Sequence, residues 1–172
     1  MKQLFGLKDL LKEQMRDLYD AEVHYGKMLP KLISTATSPE LEHQLKIFSA
    51  RAQENAAHLA QICDLLGVPP TGVTCQAMEG LLREAKDTTH DWGDTATIDA
   101  AIIANAQRIV HYEIAGFGTG CEFASCLGEK ETAQLLEAML NQAIDNDKAL
   151  TRIATGGWFT SGVNAEAAQR TA

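Results

Sequence analysis

The chain has 172 residues, 45% of them hydrophobic, which suits one domain with a sizeable core and argues against intrinsic disorder. A formal net charge of −8 disfavours nucleic acid and anionic membrane as partners and favours a cation. No run of about 20 apolar residues is available to span a bilayer, and the opening Met1-Lys2-Gln3-Leu4-Phe5 has no apolar signal core, so a cytoplasmic protein is expected.

Leu7 to about Ala36 has helical periodicity, with Leu11, Met15, Leu18, Glu22, Tyr25 and Leu29 on one stripe. Pro30 falls late in this helix and is expected to kink it. Ser38-Pro39-Glu40 reads as a helix start, because serine caps, proline suits the first helical position and glutamate favours the positive end of the dipole. The second helix is predicted to run to about Leu66, before Gly67-Val68-Pro69-Pro70, with the stripe Leu41, Ile47, Glu54, His58, Leu65.

Cys75 to about Lys86 reads as a short helix in a long connection. The third long helix is predicted from near Thr97 to Leu127, with Ile103, Ala106, Val110, Glu113, Phe117 and Ala124 inward and Gly128 as its stop. The fourth spans about Lys130 to Ala154, with Leu136, Leu140, Ala143, Asp147 and Leu150 inward. Residues 156–172, rich in Gly, Ala, Ser and Thr, are predicted to be irregular, with Trp158 and Phe159 over the bundle end or in a dimer contact. The expected architecture is all-α: an antiparallel four-helix bundle over residues 1–155 with a short extra helix between its second and third long helices. Cys63, Cys75, Cys121 and Cys126 form no CxxC pair, so free thiols are expected.

Glu22, Glu54, Glu113 and Asp147 interrupt the four apolar stripes at comparable depths, each about 24 Å from its helix start. Converging buried carboxylates repel one another and lose hydration, and either protonation or a bound cation relieves this. His58 lies one turn from Glu54, and carboxylates with imidazole suit iron, manganese or zinc. The pattern leaves two readings open: a metal cluster of Glu22, Glu54, His58, Glu113 and Asp147 holding one or two ions, or a hydrogen-bonded polar layer. His111 is read as facing away from that centre, His24 and His43 as facing solvent, and Asp20 and Asp145 as solvated charges.

Leu18-Tyr19-Asp20-Ala21-Glu22, Cys75-Gln76-Ala77-Met78-Glu79-Gly80-Leu81 and Val110-His111-Tyr112-Glu113-Ile114-Ala115 together resemble the YciE/YciF family of ferritin-like proteins, and the resemblance extends to about Ala154. It implies a ferritin-like bundle, a homodimer and an association with bacterial stress responses. Two departures bear on the metal reading. Asn141-Gln142-Ala143 stands where the resemblance implies an acidic run, so Ala143 removes one ligand. Glu54 and His58 are four residues apart, whereas di-iron bundles use Glu-x-x-His. The two function classes that follow are a metal-binding protein, with redox chemistry toward oxygen or peroxide, and a non-enzymatic structural or interaction protein with a relic polar core. Iron storage needs a hollow multi-subunit shell, which nothing in the sequence specifies.

Overall fold

The computed structural model describes residues 4–157 and 160–169; Trp158 and Phe159, and with them the expectation placed on them, lie outside the described residues. The elements in chain order are α1 (Leu7–Thr35), α2 (Pro39–Leu65), α3 (Gln76–Thr88), α4 (Thr95–Leu127), α5 (Lys130–Thr155), β1 (Gly156–Gly157), β2 (Thr160–Ser161) and α6 (Val163–Ala168). The long helices end where their caps place them. Ser38 caps α2, accepting from the Leu41 amide at 3.4 Å. Asp94 caps α4, accepting from the Thr97 amide at 2.9 Å, which moves the start of that helix two residues ahead of Thr97. Gly128 ends α4 with φ 75°, the left-handed conformation glycine adopts without strain. Pro30 lies inside α1, on its exposed side, and the helix continues through it.

The core is built on steps of four and three residues. α1 buries Leu11, Met15, Leu18, Glu22, Tyr25, Leu29 and Leu32, and α4 buries Ile103, Ala106, Val110, Glu113, Phe117, Gly120 and Ala124. Such spacing keeps one narrow seam facing its neighbours along the whole helix. α2 follows the same rule with Leu41, Leu45, Phe48, Ala52, Asn55, Leu59 and Ile62, which corrects the predicted stripe by one residue. Six residues turn a helix through about 600°, so Leu41 and Ile47 do not share a face. Glu54 is exposed, His58 is half-buried and Leu65 is 47% exposed. On α5 the seam is Leu136, Met139, Ala143, Asn146 and Leu150, so Asn146 faces inward and Asp147 sits beside it, half-buried.

Cross-helix contacts define the topology. Gly26 approaches Ala52, Gln14 bonds Gly116, Glu22 meets Glu113 and Thr37 bonds Asp99, so α1 runs antiparallel to both α2 and α4. Arg51 reaches Asn146 and Gln61 reaches Glu131, so α2 and α5 are antiparallel. Gln107 bonds Asp147 while Gly120 meets Leu136, which makes α4 and α5 antiparallel as well. α2 ends beside the start of α1, whereas α4 begins beside the end of α1. The chain must therefore cross the length of the bundle between them, and α3 carries it over the α1–α4 face.

The segment after α5 departs from the irregular tail expected. Gly156 pairs with Ser161 and Gly157 with Thr160 in a short antiparallel hairpin, and α6 then packs on α4 and α5 with Val163 buried. Gly156 and Gly162 allow it: a Cβ on Gly156 would lie 2.5 Å from the Gly162 nitrogen.

Candidate functional site

Glu22 of α1 and Glu113 of α4 are 1% and 4% exposed and face each other across the core. Asn55 of α2 and Tyr25 of α1, also buried, complete their surroundings. Neither Glu22 oxygen meets hydrogen-bond geometry with a neighbour, nor do the Tyr25 hydroxyl and the Asn55 Oδ1, although Asn55 and Glu113 lie near enough to act on the Glu22 carboxyl. One turn from Asn55, the half-buried Arg51 sends Nη1 toward α5, donating to the Asn146 Oδ1 and to the Gln142 carbonyl at 3.3 Å.

Electrostatics follow from burial. Loss of hydration, and then the Glu113 charge, push the Glu22 carboxyl well above its ordinary 4.5, with the Asn55 amide pulling the other way. Burial raises Glu113 to about 8, opposed by Glu22 and by the Arg51 charge. Burial, with both carboxylates nearby, raises the Tyr25 phenol. The pair therefore holds at least one proton near neutral pH and behaves as one coupled unit.

Of the five residues expected to share a metal ion, only Glu22 and Glu113 are brought together. Glu54 points to solvent, and His58 is half-buried on the next turn of α2. Asp147 lies on the α4–α5 seam, 3.3 Å from the His111 Nε2 and accepting from the Gln107 Nε2 at 3.1 Å. Ala143 is buried, and its methyl side chain offers no donor atom. Among the described residues no group of three or more His, Cys, Asp or Glu is placed to hold an ion. Two carboxyls, two carboxamides and a guanidinium do not fit a pair of iron or manganese ions. Amide oxygens are neutral donors, and the fixed guanidinium charge opposes a second cation.

Sequence reading missed Arg51, Asn55 and Asn146. The unbroken four-and-three spacing from Leu41 to Ile62 carries the signal for Asn55. Asp20 is also more than a solvated charge: it accepts from the Cys75 amide at 2.9 Å and pairs with His24 at 3.2 Å. Beside it, the Tyr112 hydroxyl donates to Asp17 at 2.5 Å and lies 2.9 Å from the Cys75 Sγ. Cys75 in turn caps α3 through the Met78 amide. Burial raises the Cys75 thiol above its usual range. The cysteines are free; Cys63 and Cys75 are buried, Cys121 is half-buried and Cys126 is exposed.

Two surface depressions lie away from the central layer. One, of about 450 Å³, lies between the α1–α2 turn, the start of α4 and the C-terminal hairpin, with His43, Asp99 and Arg152 among its walls. The other, of about 700 Å³, lies beside Arg16, Asp17 and Gly72. None of the five predicted metal residues lines either one.

The chain is one of the YciE/YciF-type helical proteins: it belongs to the domain family of unknown function DUF892, which matches residues 6–168. It is 30% identical to YciF of Escherichia coli K12 over 152 residues, covering 86% of this chain and 90% of that protein. The crystal structure of the E. coli stress protein YciF superimposes with a TM-score of 0.82 at 28% identity, covering 86% of this chain and 94% of that one. YcfI of Rhodopseudomonas palustris superimposes with a TM-score of 0.84 at 37% identity over 89% of this chain and 98% of its own. A Xanthomonas campestris protein shares the fold alone, with a TM-score of 0.71 at 18% identity and 95% and 94% coverage. No helix of the described residues is long and apolar enough to cross a membrane.

Proposed function

We propose that this chain is a structural or interaction protein of the YciF stress-protein type, in which the central polar layer sets helix register and carries no metal chemistry. The observation that supports this most is the pair of inward asparagines. Asn55 and Asn146 occupy seam positions on α2 and α5 where a metal cluster needs acids or histidines. Single polar residues on such seams serve to fix register and partner. The suggestion of a structural role attached to YcfI points the same way. The homodimer implied by the sequence resemblance belongs to this reading, and light scattering separates a particle of 18.7 kDa from one of twice that mass.

A second reading keeps a single iron or manganese ion on Glu22 and Glu113, favoured by the unpaired Glu22 oxygens and Asn55 Oδ1. One experiment decides between them: metal content of protein purified without an affinity tag, before and after anaerobic loading with Fe(II) or Mn(II). The structural reading predicts no stoichiometric ion. One ion per chain, lost in Glu22→Gln, would establish the second reading.

A further inference from the structure

We propose that residues 72–80, at the start of the crossover helix, form a strap that opens from the α1–α4 face while the bundle stays folded, and so gates the Cys75 thiol. Whether the central layer holds an ion does not bear on it. Each end of the strap lies next to a fixed point. Before it, the Thr71 carbonyl accepts from the Arg16 Nη2 at 2.7 Å. After it, Leu82, Ala85 and Thr88 are buried, and Asn105 donates to the Thr88 hydroxyl at 2.7 Å. The strap itself begins and ends on glycine. Gly72 has φ 91°, a left-handed conformation that side chains rarely adopt. Gly80 lies inside α3 with nothing within 4 Å of where a Cβ would stand. Glycine weakens a helix interior, so Gly80 is where the first turn of α3 unwinds most readily from the rest.

Between the two glycines only Cys75 and Met78 are buried. A segment that buries so little opens far more cheaply than the whole domain. Its hydrogen bonds converge on one residue. The Cys75 amide donates to the Asp20 Oδ2 at 2.9 Å. Its Sγ accepts from the Met78 amide at 3.4 Å and lies 2.9 Å from the Tyr112 hydroxyl. That hydroxyl gives its one proton to Asp17 at 2.5 Å, so the thiol donates to the Tyr112 oxygen. Met78, Cys75, Tyr112 and Asp17 thus form a single directed chain that fastens α3 to α4 and α1, each bond polarising the next. The depression of about 700 Å³ walled by Arg16, Asp17, Gly72 and Gln76 gives the strap room to move.

The test is alkylation of the full chain with iodoacetamide, followed peptide by peptide by mass spectrometry. The exposed Cys126 calibrates the reagent. Cys75 should react more slowly than Cys126, yet roughly tenfold or more faster than Cys63, which is fully buried in α2. Tyr112→Phe breaks the chain and should speed Cys75 roughly tenfold, the effect of losing one hydrogen bond to a charged group. Gly80→Ala meets no neighbour and should slow Cys75 about three- to fivefold by stiffening the helix. Thr88→Val removes the bond at the far end of α3 and should leave the Cys75 rate unchanged. Cys75 reacting no faster than Cys63 in the wild type, a comparison that needs no variant to fold, would mean that the strap opens only with the whole molecule and overturns the proposal. Thr88→Val speeding Cys75 as much as Tyr112→Phe, or Gly80→Ala having no effect, overturns it too, because α3 then lifts without a hinge at Gly80.

Discussion

Glu22 and Asp99 are equally buried acids in opposite circumstances. Asp99 accepts from the Thr37 amide at 2.9 Å, the Thr37 hydroxyl at 2.7 Å and the Ser38 amide at 2.7 Å, locking the α1–α2 turn onto the start of α4. Asp99→Ala should therefore cost roughly 2–4 kcal/mol, read as a lower denaturant midpoint. Glu22 has no such bonds, and its raised pKa makes it a liability whose sign follows from linkage. A carboxyl with a folded pKa above its unfolded value of about 4.5 costs nothing below that pH. The cost grows as pH climbs toward the folded value, about 8 for Glu113, and is complete above it. Stability should accordingly decline between pH 5 and pH 9. Glu22→Gln should flatten that decline, gaining on the order of 1–3 kcal/mol over the wild type at pH 9 and little at pH 5. Chemical denaturation at the two pH values checks it.

At the scale of elements, α1 and α4 approach closely because α4 carries glycine where it meets α1. A Cβ on Gly116 would lie 2.5 Å from the Leu18 Cδ2, and one on Gly120 would lie 2.7 Å from the Met15 Cε. Gly116→Ala, set against three atoms of the buried Leu18, should destabilise by about 1–2 kcal/mol through overpacking, and Gly120→Ala by less, because the Met15 end can move aside. Gly118 faces the other way, with Leu140 no nearer than 3.7 Å. Gly118→Ala should gain the ordinary helix preference of alanine, ~0.5–1 kcal/mol, and thermal unfolding of the three variants separates the cases. The crossover helix α3 is held at its start by the Asp17–Tyr112–Cys75 chain and near its end by Asn105, which donates to the Thr88 hydroxyl at 2.7 Å. Tyr112→Phe should speed amide exchange at the start of α3 with little change elsewhere. Helix limits were legible because caps such as Ser38 and Gly128 are local chemistry. Seams on α1 and α4 were legible because their apolar spacing is regular. The α2 seam was not, because Ile47 and Leu65 offer an apolar row one residue out of phase with Leu45, Phe48 and Ile62. Only packing against α1 and α5 decides between the two rows, and Glu54 left the core with that choice.

Among the described residues, four long helices, each antiparallel to its neighbours, are crossed by α3 on one face and closed at one end by the hairpin and α6. This topology puts one acid on each of α1 and α4 at the same depth. It puts Arg51, Asn55 and Asn146 on the two helices opposite. The long helices and the Glu22–Glu113 pair were legible in the sequence around those two residues. The composition of the layer was not, because it depends on phase along α2 and α5, where one residue exchanges a carboxylate for an amide. On the structural reading proposed above, this layer is complete without a metal. Crystals of the untagged protein grown with MnCl2 and measured at the manganese absorption edge test it most directly. The expected result is the Arg51 guanidinium on Asn146 and Gln142, with no anomalous peak between Glu22 and Glu113. A peak bound by both carboxylates, with Arg51 displaced, would contradict it.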